Sequence, residues 1–160
     1  MAHSFSTSAL DKKLKELNST LQSIQGTSQW LIHYRKNAKT IVGQWYKEIQ
    51  NGEGSKFTMM RELVIIFTFL VDSGKKLTLL YLANDVIQNA KKKGPEFRVE
   101  FVKFLPRALQ QVSFDKNDSV CKSVERIISV WEERKVFEPD AIVRFKSMLG
   151  MEEFNLMCRH

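Results

Sequence analysis

Residues that break or bend a chain are scarce in this sequence. Seven glycines and three prolines among 160 residues are too few for a turn-rich β architecture or for long low-complexity linkers. Cysteine is scarcer: Cys121 and Cys158 are the whole supply. That excludes a disulfide framework and a cysteine-built zinc site, and it fits a reducing compartment. The three histidines, His3, His33 and His160, stand far apart in the sequence. Neither a catalytic spacing nor a metal-ligand spacing links them, so no cofactor and no metal is expected. A Gly-rich phosphate loop, an HExxH helix and a serine nucleophile elbow are all missing, so the chain does not read as an enzyme. No apolar run is long enough to cross a membrane. The stretch 63–71 carries no charge, and extending it back to Phe57 gives 15 residues interrupted by Arg61 and Glu62, against about 20 for a span. Met1-Ala2-His3-Ser4 leads into a polar helical pattern, so no signal peptide is read.

What is present is ordinary in bulk and uneven in charge. Hydrophobic content of 43% and charged content of 27% suit one soluble domain with a sizeable core. The net charge is +7. Residues 75–135 hold 13 Lys/Arg against 8 Asp/Glu, so this half favours an anionic partner: nucleic acid, phospholipid or phosphorylated peptide. Lysines kept solvated for solubility are the plainer reading.

The apolar periodicity predicts helices nearly throughout. Ser8 is read as the cap of a helix over 9–17, with Leu10, Leu14 and Leu17 inward. Further helices follow at 21–35 (Leu21, Ile24, Trp30, Leu31 and Tyr34 as core), 38–50 (Ile41, Val42, Trp45 and Ile49) and 76–92. Pro95 permits a new start, giving a helix over 96–111 bent near Pro106. Asp118 or Ser119 caps a helix over 120–135, and Pro139 opens the last one, 139–149. The fold class is therefore all-α, either a bundle or a right-handed superhelix of stacked helices. Two segments break the rhythm: 51–74, rich in β-branched and aromatic residues, and the tail after Gly150.

Two helical stripes carry chemistry. Tyr81, Asp85 and Asn89 recur every fourth residue, so a ring, a carboxylate and an amide line one helix face. Asn84 and Gln88 lie beside them, and the helix ends at Lys91-Lys92-Lys93. Such a face can grip an extended ligand; alternatively, Asn84 and Asp85 satisfy nearby backbone or face water, and the lysines complement the helix dipole. On 120–135, Val124, Ile127, Ile128 and Trp131 make the core side, while Arg126, Val130 and Arg134 make a second stripe. Arginine forks suit a phosphate through paired charge-assisted hydrogen bonds. The competing reading is a solvated face with Glu125, Glu132 and Glu133 as local partners.

YLANDVIQNAKKKGPEF, VERIISVWEERKVF and the opening FSTSALDKKLKEL with QSIQGTSQWLIHYRKNAKTIV together resemble the CTD-interacting domain (CID) family. The likeness covers residues 4–50 and 75 to about 149. It implies a right-handed superhelix of about eight helices that binds the C-terminal heptad repeats (YSPTSPS) of the largest RNA polymerase II subunit in a groove. Carried over by position, Asp85 would accept a hydrogen bond from the heptad tyrosine, with Tyr81 and Asn84 shaping its site. Asn89 would hold peptide backbone or phosphate, and Arg126 would pair with a phosphoserine at the second position. Val130 and Trp131 would supply apolar wall and support, and Arg134 would reach the far end of the peptide. The resemblance implies action in transcription regulation and pre-mRNA 3′-end processing, a nuclear location, and weak RNA binding at most. The alternative is a VHS/ENTH-like adaptor for anionic membrane or sorting peptides.

Two departures from the family shape the expected domain map. Relatives join the third and fourth helices by a short polar loop, where this chain has about 19 additional residues. The family module is thus expected over 1–149, interrupted at about 52–74, with a non-family tail at 150–160. Translated intron sequence would account for the insertion, and a dominant mature transcript containing it would refute that origin. Relatives also continue into a coiled-coil dimerisation region that the tail does not resemble.

Overall fold

The structure, a computed structural model, describes residues 4–51, 63–114 and 117–150, with side chains in the middle stretch from Gly74 onward. The expected insertion therefore lies outside the described residues as far as 62, and the expected tail from 151. Described residues form seven α-helices: α1 (Thr7–Glu16), α2 (Leu21–His33), α3 (Ala38–Asn51), α4 (Leu63–Ala90), α5 (Glu96–Val112), α6 (Asp118–Glu133) and α7 (Pro139–Met148). One 3₁₀ turn, Arg35–Asn37, links α2 to α3. The all-α class holds, with seven α-helices and this turn where about eight helices were expected.

Helices two apart in the chain pack on one another. α1 lies on α3, α3 on α5 and α5 on α7; likewise α2 lies on α4 and α4 on α6. The molecule thus has an odd-numbered layer and an even-numbered layer, held together mainly by α4 against α5 and α6 against α7. Trp45 of α3 is buried between the layers, where its indole N–H donates to the Leu79 carbonyl of α4 at 2.8 Å. Phe101 of α5 meets the same ring edge-on at 5.0 Å, a favoured aromatic geometry. Pro106 sits inside α5, where it removes one donor without ending the helix.

Four local expectations are corrected. Ser6 rather than Ser8 caps α1, its Oγ accepting the Ala9 N–H at 3.4 Å. Asn117 rather than Asp118 or Ser119 caps α6, because its side-chain oxygen reaches two free N–H groups, those of Ser119 at 3.0 Å and Val120 at 3.3 Å. Leu21, expected in the core, is 69% exposed: it is the first residue of α2, and burial begins one turn later at Ile24. Finally, α4 starts at Leu63 and not near 76. The stretch 51–74 breaks the rhythm of the sequence, yet from Leu63 the helix runs on, and the Thr78 hydroxyl donates to the Gly74 carbonyl at 2.8 Å within it. Among the described residues no helix is long and apolar enough to cross a membrane.

Lys75, within α4, ties that helix to the end of α1. Its ammonium donates to the carbonyls of Leu14 at 2.7 Å, Lys15 at 3.2 Å and Leu17 at 2.6 Å. These belong to the end of α1, where a cation also suits the helix dipole. Burial lowers the Lys75 pKa from its ordinary value, against a small opposite pull from Glu48. Lys75→Met is expected to cost about 1.5–3 kcal/mol, the range for hydrogen bonds made by a charged group. Urea unfolding checks this, and an unchanged midpoint would show that the three carbonyls do not need the ammonium.

Candidate functional site

α4 is the middle helix of the even layer, so its two flanks face different neighbours. A residue phase of 100° per position puts 84 and 88 on one flank, and 85 and 89 on the next. The first flank is bonded to α6. Asn84 Oδ1 accepts the indole N–H of Trp131 at 2.8 Å and the Gln88 amide at 2.7 Å. Gln88 Oε1 in turn accepts from the Arg134 guanidinium. This clasp fixes how far α6 stands from α4, because four side chains must meet for its three bonds to form.

The second flank opens toward α2. Asp85 and Asn89 line a pocket of about 370 Å³ with Gln25, Ser28, Gln29, Ile32 and Lys93. Asp85 is half-buried, and among the described residues it has no ion-pair partner. Asn89 donates its amide to the Asp85 backbone carbonyl at 2.9 Å. Ser28 is fully buried and its hydroxyl lacks a hydrogen-bond partner, an uncommon state for a buried polar atom. Tyr81, one turn earlier on the stripe, is 36% exposed.

On α6, Trp131 is fully buried and Val130 half-buried, while Arg126 and Arg134 are exposed. Arg134 reaches back to α4 through the clasp. Arg126 lines a wide, open hollow of about 590 Å³ with Ser119, Lys122, Ser123, Glu125 and Ser129. The solvated-face reading paired the arginines with glutamates, but Glu132 instead binds Lys146 of α7 at 2.6 Å. Among the described residues neither Arg126 nor Arg134 joins an ion pair.

The even layer therefore offers an accessible carboxylate, amides and cations across α2, α4 and α6. The sequence reading held the α4 and α6 members of this set and missed the α2 wall. Gln25 and Gln29 at a spacing of four were its available signal. Gln88, read only as part of the polar set, proves to be the middle of the clasp. No group of three His, Cys, Asp or Glu side chains that could hold a metal occurs among the described residues.

A family model described as the CID domain matches residues 8–145. Among similar proteins, "Regulation of nuclear pre-mRNA domain-containing protein 1A" of Homo sapiens is 41% identical over 145 residues, covering 91% of this chain and 40% of that protein. "Regulation of nuclear pre-mRNA domain-containing protein 1B" of Homo sapiens is 42% identical over 150 residues, covering 94% and 40%. "Regulation of nuclear pre-mRNA domain-containing protein 2" of Mus musculus is 38% identical over 143 residues, covering 89% of this chain and 8% of its own length. The chain thus spans about 40% of the length of the first two relatives.

Proposed function

This chain belongs to the CID domain family, and on that premise we propose that it is a non-catalytic module gripping the heptad-repeat tail of the largest RNA polymerase II subunit, phosphorylated at the second-position serine. The observation that carries the reading is the three-helix even layer. Its middle helix turns Asp85 toward α2 and, through Asn84 and Gln88, holds the arginine-bearing α6 at a fixed distance. A bent peptide lying across that layer meets an acid and then a cation.

In this reading Asp85 accepts from the tyrosine hydroxyl beside Tyr81, and Asn89 faces peptide backbone. Arg126 takes the phosphate, Val130 forms apolar wall, and Arg134 meets the far end. Asn84 and Trp131 act by holding α4 to α6. The module spans 1–149 with an interruption at 52–74. The names of the relatives tie them to nuclear pre-mRNA, which supports a nuclear setting and a role in transcription regulation and 3′-end processing and termination. No aromatic platform stands beside Lys91-Lys92-Lys93 in sequence, so RNA binding there is weak at most.

Calorimetric titration with a doubled heptad peptide, with and without the second-position phosphate, tests the reading. Binding of both, tighter with phosphate, is the expected result. Absence of binding to either peptide overturns the function, and equal affinities remove the phosphate role. Asp85→Asn keeps the shape but removes the charge, so it should weaken both peptides by about tenfold, the loss of one charged hydrogen bond.

A further inference from the structure

The bonds between α4 and α6 run in one direction. An indole N–H and a guanidinium only donate hydrogen bonds, whereas a carboxamide accepts on one side and donates on the other. Trp131 stands at one end of the series and Arg134 at the other, with Asn84 and Gln88 between them. Asn84 therefore turns its oxygen to Trp131, and the same oxygen takes the Gln88 Nε2 at 2.7 Å. That leaves the Gln88 oxygen facing the Arg134 guanidinium. Turning the Gln88 amide over would set oxygen against oxygen at Asn84 and N–H against N–H at Arg134. A fully buried tryptophan, fixed by Phe137 and Phe145, thus dictates through two amides what an exposed arginine binds.

We propose that Gln88 is a positioning residue: it does not touch the peptide, and it holds the Arg134 fork ready for the peptide's far end. The inference rests on the function proposed above and deepens it. Arg134 is the C-cap of α6. Its backbone is pinned, because its N–H donates to the Val130 carbonyl at 3.0 Å and, just beyond it, the Val136 N–H donates to the Trp131 carbonyl at 2.9 Å. Its side chain is exposed, and among the described residues it joins no ion pair. Left alone, so long a side chain samples many rotamers, and freezing it at the moment of binding costs affinity. The half-buried Gln88 orders it beforehand. The bond to Gln88 uses Nη1, and among the described residues the Nε–Nη2 edge makes none. That edge is the one that meets a phosphate or carboxylate through two parallel bonds.

A double-mutant cycle tests this, with the doubled heptad peptide titrated against wild type, Gln88→Met, Arg134→Ala and the two together. Gln88→Met keeps the length of the side chain and removes both polar atoms, so Arg134 loses its acceptor. It should weaken binding about two- to tenfold, the cost of ordering one long side chain on association. In the Arg134→Ala background it should weaken binding no further. A loss of equal size in that background places Gln88 on the peptide or in the general frame of the groove, and it overturns the proposal; so does wild-type affinity in Gln88→Met. The arginine is also read without peptide, through the NMR signal of its Nε–H. In the wild type this signal should stand apart from those of the exposed Arg98, Arg107 and Arg144, and in Gln88→Met it should merge with them. A wild-type signal already merged with them shows an unheld arginine and ends the proposal, while the proposed function stands if the peptide binds. If no heptad peptide binds the wild type, the function falls and this role falls with it.

Discussion

Trp131→Ala will destabilise the domain by about 3–5 kcal/mol, the usual cost of emptying a fully buried tryptophan site. Trp131 has no exposed surface and ties three helices together. Its ring meets Phe137 at 5.2 Å and Phe145 at 5.8 Å, both edge-on, while its N–H holds Asn84 of α4. Collapse cannot refill the space, because Phe137 and Phe145 already pack edge-on against each other at 5.4 Å. For a domain of this size the loss corresponds to a fall in Tm of roughly 6–20 °C. Trp131→Phe separates the two contributions. It keeps most of the volume and drops the hydrogen bond, and since Asn84 Oδ1 still accepts from Gln88, no acceptor is stranded. About 1–2 kcal/mol is expected there. Equal losses for the two variants would mean that the indole N–H, and not packing, is what the site requires.

The same clasp shows where sequence reasoning works and where it stops. The phase of Tyr81, Asp85 and Asn89 was legible because helical geometry fixes which positions share a face whatever surrounds them. The core was legible for the same reason in α1, α3 and α6, where Leu10, Trp45 and Ile128 are all fully buried or within 1% of it. Pairing between helices was not legible. Asn84 and Gln88 differ from Asp85 and Asn89 by a single step of phase, and only the presence of α6 on one flank and α2 on the other gives the two pairs different work. The α2 wall was missed because glutamine and serine carry no sign of their own until a carboxylate and a lysine face them. Leu21 went wrong because periodicity continues to a helix end after packing has stopped. The start of α4 was misread because the stretch 51–74, rich in β-branched and aromatic residues, breaks the helical rhythm of the sequence, and local composition yields when tertiary structure continues the helix. The family likeness supplied what phase could not, namely the proposal that the carboxylate helix and the arginine helix serve one ligand.

Arg126→Ala will abolish the preference for a heptad peptide phosphorylated at the second serine while leaving the unmodified peptide within about twofold. The expected loss for the phosphorylated form is about 1.5–3 kcal/mol, the range of a charge-assisted hydrogen bond. Arg126 is exposed, so solvent and salt place the value toward the lower end. Its surroundings explain why the cation rather than the hydroxyls would answer the phosphate. Ser123 and Ser129 line the same hollow, but each already donates to the backbone one turn back, at 2.9 Å to Ser119 and 2.9 Å to Glu125. That leaves Arg126 and Lys122 as the positive groups, with Glu125 opposing them. Arg126→Lys should recover only part of the loss, since an ammonium keeps the charge without the planar fork. Raising the salt from 50 to 300 mM should shrink the phosphate preference of the wild-type chain and leave Arg126→Ala unmoved, because screening acts only on a contact that exists. Equal weakening of both peptides by Arg126→Ala would place the arginine on the peptide backbone and leave the phosphate without its partner.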